Sequence, residues 1–310
     1  MKIVAFAGGV GGAKLVDGLA HVLHAEDLTV VVNTGDDFEH LGLYICPDLD
    51  TICYTLAGLA NPVTGWGRVD ETWQTMKNLT RLGGPTWFQI GDQDFATHLE
   101  RTRRLKENQP LSQIVSEFCK AWEINQTILP MSDQPVRTIV ETDEGALAFQ
   151  EYFVHRECRP HVKGFRFMGI EYALPTPGVF EAIEISDAIV ICPSNPWVSI
   201  GPILALPGVK SKILEKQVIV ISPIIGGQAV KGPAAKMYRE MGIRPSALSV
   251  AQHYQELATH FVLDHTDAEL QQDISRLNIQ CFVTETLMKS PADRKQLAKD
   301  VLNFIGFNFQ

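Results

Sequence analysis

The apolar positions of residues 2–7 form an unbroken run that stops at two glycines. From residue 13 the spacing changes, and Leu15, Leu19, Val22 and Leu23 recur at helical intervals. A second run, residues 28–32, is β-branched and nearly free of polar side chains. The chain therefore starts as strand, glycine turn, helix, strand, a βαβ unit. Continuous rather than alternating apolar runs predict strands covered on both faces, as in a parallel sheet flanked by helices. Runs of the same kind recur at residues 188–192 and 218–222, each closing in Pro, Ser, Asn or Gly. The fold class predicted is α/β, a doubly wound, mostly parallel Rossmann-like sheet that binds ligands at the carboxyl ends of its strands.

Between residues 61 and 134 the texture changes: Trp66, Trp73, Trp87 and Trp122 stand among many charges, with helical periodicity over 111–122. This predicts a mainly helical insertion at 61–134 within a nucleotide-binding core of residues 1–60 and 135–310. Residues 137–142 and 148–153 read as strands around an Asp143-Glu144-Gly145 turn, a hairpin. Further on, strands are expected at 261–264 and 279–284 and a last helix at 292–305. No internal repeat or low-complexity segment is visible.

With 310 residues and 45% apolar composition, the chain has ample material for one large core or two intimate ones. Lys and Arg number 27 against 36 Asp and Glu, a net charge of −9 with no basic block. That balance excludes a protein that grips a nucleic acid or an anionic membrane by charge alone, so an anionic ligand has to be held locally. The N-terminal apolar run is too short for a signal peptide, and no run approaches the length of a membrane span. Six cysteines without a close CxxC pair suit reduced thiols, and the expected location is cytoplasmic.

Four segments carry candidate chemistry. In Gly8-Gly9-Val10-Gly11-Gly12-Ala13-Lys14, the glycines Gly9, Gly11 and Gly12 let backbone N–H groups approach a phosphate, and Lys14 adds charge at a helix start. The spelling fits neither a dinucleotide fingerprint, which wants Gly at Lys14, nor a P-loop, which wants Gly and Ser or Thr at Ala13 and Leu15. A tight turn without ligand is the alternative. Asn33-Thr34-Gly35-Asp36-Asp37 and Pro47-Asp48-Leu49-Asp50-Thr51 place Asp36, Asp48 and Asp50 where a hard cation such as Mg²⁺ is held, or where a helix over 52–59 is capped.

The third segment, Gly91 to Leu99, gathers Asp92, Gln93, Asp94 and His98, which suit a polar ring or a hydroxyl, or a helix cap and an ordinary helix histidine. The fourth pairs Ser194, Asn195, Ser199 and Gly201 with Ser222 and Gly226 after the next strand, as walls for a base and ribose or as rigid loops.

The order and spacing of these segments, with Leu129-Pro130-Met131-Ser132-Asp133, closely resemble the 2-phospho-L-lactate transferase family over most of the chain. The resemblance implies transfer of a phospholactate or phosphoenolpyruvate unit from a guanosine diphosphate-linked donor to the ribityl hydroxyl of the deazaflavin Fo. GMP is released with Mg²⁺ assistance, a step in making coenzyme F420. It further implies Asp36 and Asp50 as metal ligands with Asp48 as the substitute, any of the three being able to orient or deprotonate the attacking hydroxyl.

By the same resemblance the glycine loop and the Ser194 and Ser222 loops hold the guanosine diphosphate, and the deazaflavin lies toward Asp50 and the Gly91 turn, with the tryptophan-rich insertion 61–134 covering its ring. A homodimer is implied. Gln93 stands where the family often has Arg. Two rivals are a non-catalytic nucleotide-sugar-binding regulator, which would not need Pro47 to Thr51 or Gly91 to His98, and an NAD-dependent dehydrogenase. The second is disfavoured by Lys14 and by Asn33-Thr34-Gly35 at the ribose-binding position.

Overall fold

The computed structural model describes residues 1–307. Seven strands form the central sheet: β1 (Ile3–Ala7), β2 (Leu28–Val32), β3 (Thr127–Pro130), β4 (Ala188–Ile191), β5 (Gln217–Ile221), β6 (His260–Asp264) and β7 (Gln280–Thr284). All are parallel, in the order β7-β6-β5-β4-β1-β2-β3. Every residue of β1 and β4 is buried, the outcome that unbroken apolar runs require when helices cover both faces.

Alternate side chains feed two cores. Ile3, Ala5 and Val30 pack with Leu15 and Leu19 of α1 (Gly9–Ala20), with Leu49 and Ile52 of α2 (Pro47–Leu56), and with the C-terminal helix Pro291–Phe304. Val4, Phe6 and Val31 face the other way, onto Ile183, Ile203 and Val250. The chain winds outward from β1 through β2 to β3, then returns past β1 to β4. The reversal leaves a crevice at the carboxyl ends of β1 and β4, the topological switch point.

The stretch 61–134 contributes helices α3 (Gln74–Arg81), α4 (Asp92–Lys106) and α5 (Leu111–Ala121), and also β3, which extends the central sheet beside β2. Leu111 and Val115 of α5 join the same core as β2, so that helix packs on the sheet itself. Two acids lock the starts of α3 and α4 together. Asp92 accepts hydrogen bonds from Thr72 Oγ1 and from the N–H groups of Gln74 and Thr75, while Glu71 accepts those of Gln93 and Asp94.

The hairpin expected around residue 144 is part of a three-stranded antiparallel sheet, in which Arg137–Thr142 pairs with both Gly145–Ala148 and Val162–Met168. Its return strand begins at Gly145, whose φ of +112° completes the tight turn, and ends at Ala148. Residues 149–153 are therefore not that strand; Glu151–His155 forms a short helical turn with Tyr152 buried.

Candidate active site

The ends of β1, β2 and β4 and the loop after β5 open into one cleft of about 530 Å³. Gly9, Gly11 and Lys14 line it, as do Asp36, Asp48, Asp50, Asp94, His98, Ser194, Asn195, Ser199 and Ser222. Gly12, Asp92, Gln93, Gly201 and Gly226 do not. Gly12 lies beneath the loop, where a Cβ would come 2.7 Å from Ser194 Oγ. Asp92 and Gln93 belong to the clasp between α3 and α4, with Gln93 Nε2 donating to the Asp70 carbonyl at 2.8 Å. Gly201 packs against Phe167, and the Gly226 N–H donates to Asp267 at 2.9 Å.

The glycine loop is held from two sides. Ser194 Oγ accepts the Gly8 N–H at 3.2 Å and donates to the Gly8 carbonyl at 2.8 Å, which ties the ends of β1 and β4 across the switch point. Asp48 Oδ1 accepts the N–H of Gly9, the first residue of α1, at 2.7 Å. Gly9 has a φ of +65°, and a Cβ at Gly11 would sit 2.3 Å from the Pro193 carbonyl, so the loop conformation and the close approach both require glycine. Lys14 Nζ donates to the Met288 carbonyl at 2.7 Å. Burial, and then Arg294 and Lys231, lower its pKa.

Opposite stand the carboxylates. α2 begins at Pro47, earlier than the sequence suggests, and puts Asp48 and Asp50 in its first turn, where the helix dipole favours negative charge. Asn33 Nδ2 donates to Asp48 Oδ2 at 2.9 Å and to the Val198 carbonyl at 3.2 Å. Burial pushes Asp48 up to about 6 against the pull of these donors. Asp36 is 4% exposed, and its Oδ1 finds no donor. Burial, and then the charges of Asp48 and Asp37, raise its pKa well above the carboxylate range. Asp37, with both oxygens unpartnered, is pushed up to about 7 by burial. Asp36, with one oxygen that has no donor, and Asp48, with both oxygens engaged, thus stand together as two buried carboxylates, hard oxygen donors of the kind that suit Mg²⁺.

Asp50 has different company. Arg101 of α4, 1% exposed, grips it with two guanidinium nitrogens: Nη1 donates to Oδ2 at 3.0 Å and Nη2 to Oδ1. The sequence pairs Asp36 with Asp50 at a cation; Arg101 engages both oxygens of Asp50, as Gly9 and Asn33 engage those of Asp48, and ligand atoms of Asp50, Asp94 and His98 all lie within 4.8 Å of one another. Asp48 is the acid beside Asp36. Arg101 Nη1 also approaches His98 Nδ1 at 3.3 Å. A guanidinium can only donate, so Nδ1 is the acceptor and Nε2 carries the proton, facing Asp94 Oδ1 at 3.4 Å. Tyr54 OH donates to the same Asp94 oxygen at 2.6 Å.

Arg101 is a site residue to which sequence reasoning gave no role, while Asn33 and Asp37 lie in the candidate segment 33–37 without being singled out from it. Arg101 lies three residues beyond His98, hence on the same helix face, which is the one signal that could have found it. Of the aromatic wall, Trp87 lies in the tryptophan-rich insertion expected to cover the acceptor ring, whereas Phe88, Phe149 and Phe153 were unmarked. Phe149 and Phe153 stack at 5.4 Å, Trp87 stacks on His155 at 5.1 Å, and Trp87, Phe88, Phe149 and Phe153 all line the cleft. The cleft therefore offers a phosphate-sized glycine loop, adjoining carboxylates and a flat apolar surface in one space.

The family model described as 2-phospho-L-lactate transferase CofD matches residues 3–305. A phosphoenolpyruvate transferase of Streptomyces griseus is 42% identical over 310 residues, covering 97% of this chain and 98% of its own. A 2-phospho-L-lactate transferase of Methanococcoides burtonii is 40% identical over 304 residues, covering 98% and 99%. Among solved structures, a UPF0052-family protein of Bacillus halodurans has a TM-score of 0.65 at 14% identity, covering 97% of this chain and 100% of that one, a likeness of fold. Among the described residues no helix is long and apolar enough to cross a membrane. Matched over residues 3–305 by that family model and over nearly its whole length by curated transferases, the chain belongs to the 2-phospho-L-lactate transferase CofD family.

Proposed function

We propose that this transferase moves a 2-phospholactate or phosphoenolpyruvate unit from a guanosine diphosphate-linked donor to a ribityl hydroxyl of the deazaflavin Fo, releasing GMP. The observation that carries the reading is the buried Asp36 oxygen without a donor, set beside Asp48 in the same cleft as the glycine loop and the aromatic wall. Asp36 and Asp48 would hold Mg²⁺, which when bound supplies neutralisation of charge on the diphosphate.

The chain's own groups do the rest. The N–H groups of the glycine loop and Lys14 bind the diphosphate, and the Ser194 and Ser222 loops hold its nucleoside. Trp87, Phe88 and Phe149 cover the deazaflavin ring and exclude water. Asp50, its charge balanced by Arg101, accepts a hydrogen bond from the attacking hydroxyl and takes its proton. The hydroxyl oxygen bonds to the phosphorus bearing the three-carbon acid, and the bridging P–O bond breaks, GMP leaving with the electron pair. Such transfer needs alignment and charge neutralisation more than covalent help.

The test is incubation with Fo, Mg²⁺ and separate lactyl, enolpyruvyl and glyceryl donors, with mass detection of product and GMP. Transfer from one of them is expected, and no transfer from any overturns the reading. We also propose a cytoplasmic homodimer, the location resting on six unbridged cysteines and the dimer on the family resemblance; light scattering tests the second.

A further inference from the structure

Beside the main cleft lies a recess of about 20 Å³, its wall including Asn61, Trp66, Arg68, Trp73 and the two acids Glu71 and Asp94. Thr64, Trp66, Gly67 and Asp94 line both spaces, so the recess adjoins the cleft. Its volume suits about one water-sized atom.

Arg68 stands out electrostatically. The cleft's lysines have acceptors: Lys14 bonds the Met288 carbonyl and Lys231 the Thr64 carbonyl, both at 2.7 Å. Among the described residues Arg68 has no side-chain hydrogen bond or ion pair, and its Nε is buried without a partner. Its guanidinium is held 5.5 Å over the ring of buried Tyr54. The acids nearby are already engaged. Glu71 accepts the N–H groups of Gln93 and Asp94, and Asp94 accepts Tyr54 OH and faces His98. A buried guanidinium nitrogen without an acceptor is costly, and an entering oxyanion relieves that cost.

We propose that Arg68 is a specificity-determining residue that recognises the carboxylate of the transferred three-carbon acid. The inference rests on the proposed transfer reaction. In that donor the two phosphates belong to the glycine loop, which leaves the carboxylate as the remaining anion, attached close to the phosphorus under attack. The position agrees: a Cβ added at Gly65, three residues before Arg68, would come 2.8 Å from Val10 of the glycine loop, while Asp94 leads through His98 to Asp50. The recess admits one carboxylate oxygen and rejects a whole phosphate or a ring.

The experiment compares a carboxylated guanosine diphosphate-linked donor with guanosine diphosphate β-ethyl ester, which lacks the carboxylate, in wild type, Arg68→Gln and Arg68→Lys. Arg68→Gln is expected to lower kcat/KM on the carboxylated donor about 10- to 100-fold and to leave the ethyl ester unchanged. Arg68→Lys should retain part of the preference, and calorimetric affinity for GDP should not move. Equal losses on both donors, or wild-type selectivity in Arg68→Gln, overturns the assignment. Should wild type turn over neither donor, the transfer reading falls. Arg68 is then judged by equilibrium binding of phosphoenolpyruvate against ethyl phosphate, where a carboxylate preference absent from Arg68→Gln supports it and one retained overturns it.

Discussion

Arg101 and Asp50 form a two-point ion pair between α4 and α2, with side chains only 1% and 8% exposed. Removing one partner of such a pair leaves a buried charge uncompensated, a cost of about 3–5 kcal/mol. Arg101→Met should lower the urea midpoint accordingly, and the double variant with Asp50→Leu should recover most of the loss while remaining inactive. A double variant no more stable than Arg101→Met would show that packing, rather than charge, sets the cost.

The raised carboxylates predict an acid-favoured fold in metal-free buffer. Asp37 titrates at 3.8 when unfolded and near 7 when folded, so between those values the native state binds more protons and stability falls as pH rises. From pH 5 to 7.5, Asp37 accounts for a loss of about 2–3 kcal/mol at 1.36 kcal/mol per pKa unit. Asp37→Asn should flatten that slope and be the more stable protein at pH 7.5. Urea titrations of both proteins at the two pH values, in chelator, decide it; parallel slopes would remove Asp37 as the cause.

Two alanines in one loop should behave differently. Gly9→Ala meets open space and pays only for a positive φ, about 1 kcal/mol, whereas Gly11→Ala drives a Cβ to 2.3 Å from the Pro193 carbonyl. The second should cost about 1–3 kcal/mol and weaken GDP binding at least 10-fold, because backbone on both sides of the switch point has to part. Thermal melts and calorimetry test the contrast, and equal effects would contradict it.

Trp87 stacks on His155 at one edge of the cleft. Trp87→Ala should raise the KM for the deazaflavin about 10-fold, from lost stacking and burial, with GDP affinity unchanged. Fluorescence titration of Fo reads the first and calorimetry the second. A loss confined to GDP would reverse the placement of the two substrates.

How far the sequence reached follows from how each residue is held. β1, β2 and β4 are buried on both faces, so their apolar runs announce them. β3 is four residues ending in Pro130, and only its neighbour β2 makes it a strand. Asp48 does not cap the helix expected over 52–59, because α2 already begins at Pro47; its carboxylate instead lines the cleft beside Asp36 and binds the first N–H of α1, a partner 39 residues away that no local pattern announces. Arg101 precedes Arg103 and Arg104 on a charged helix and reads as solvated; a partner 51 residues earlier makes it buried. Trp87 and Phe149 come from segments 62 residues apart, and no local pattern brings them together.

The pairing of Ile3 with Ala188 sets a timetable for biosynthesis. Strand β1 emerges first yet cannot acquire its second neighbour until about 185 further residues have been made, roughly 10–40 s at ordinary elongation rates. During that interval one flank of a wholly apolar strand is bare. Chaperone dependence of the nascent chain should therefore end abruptly once residues 188–191 clear the ribosome.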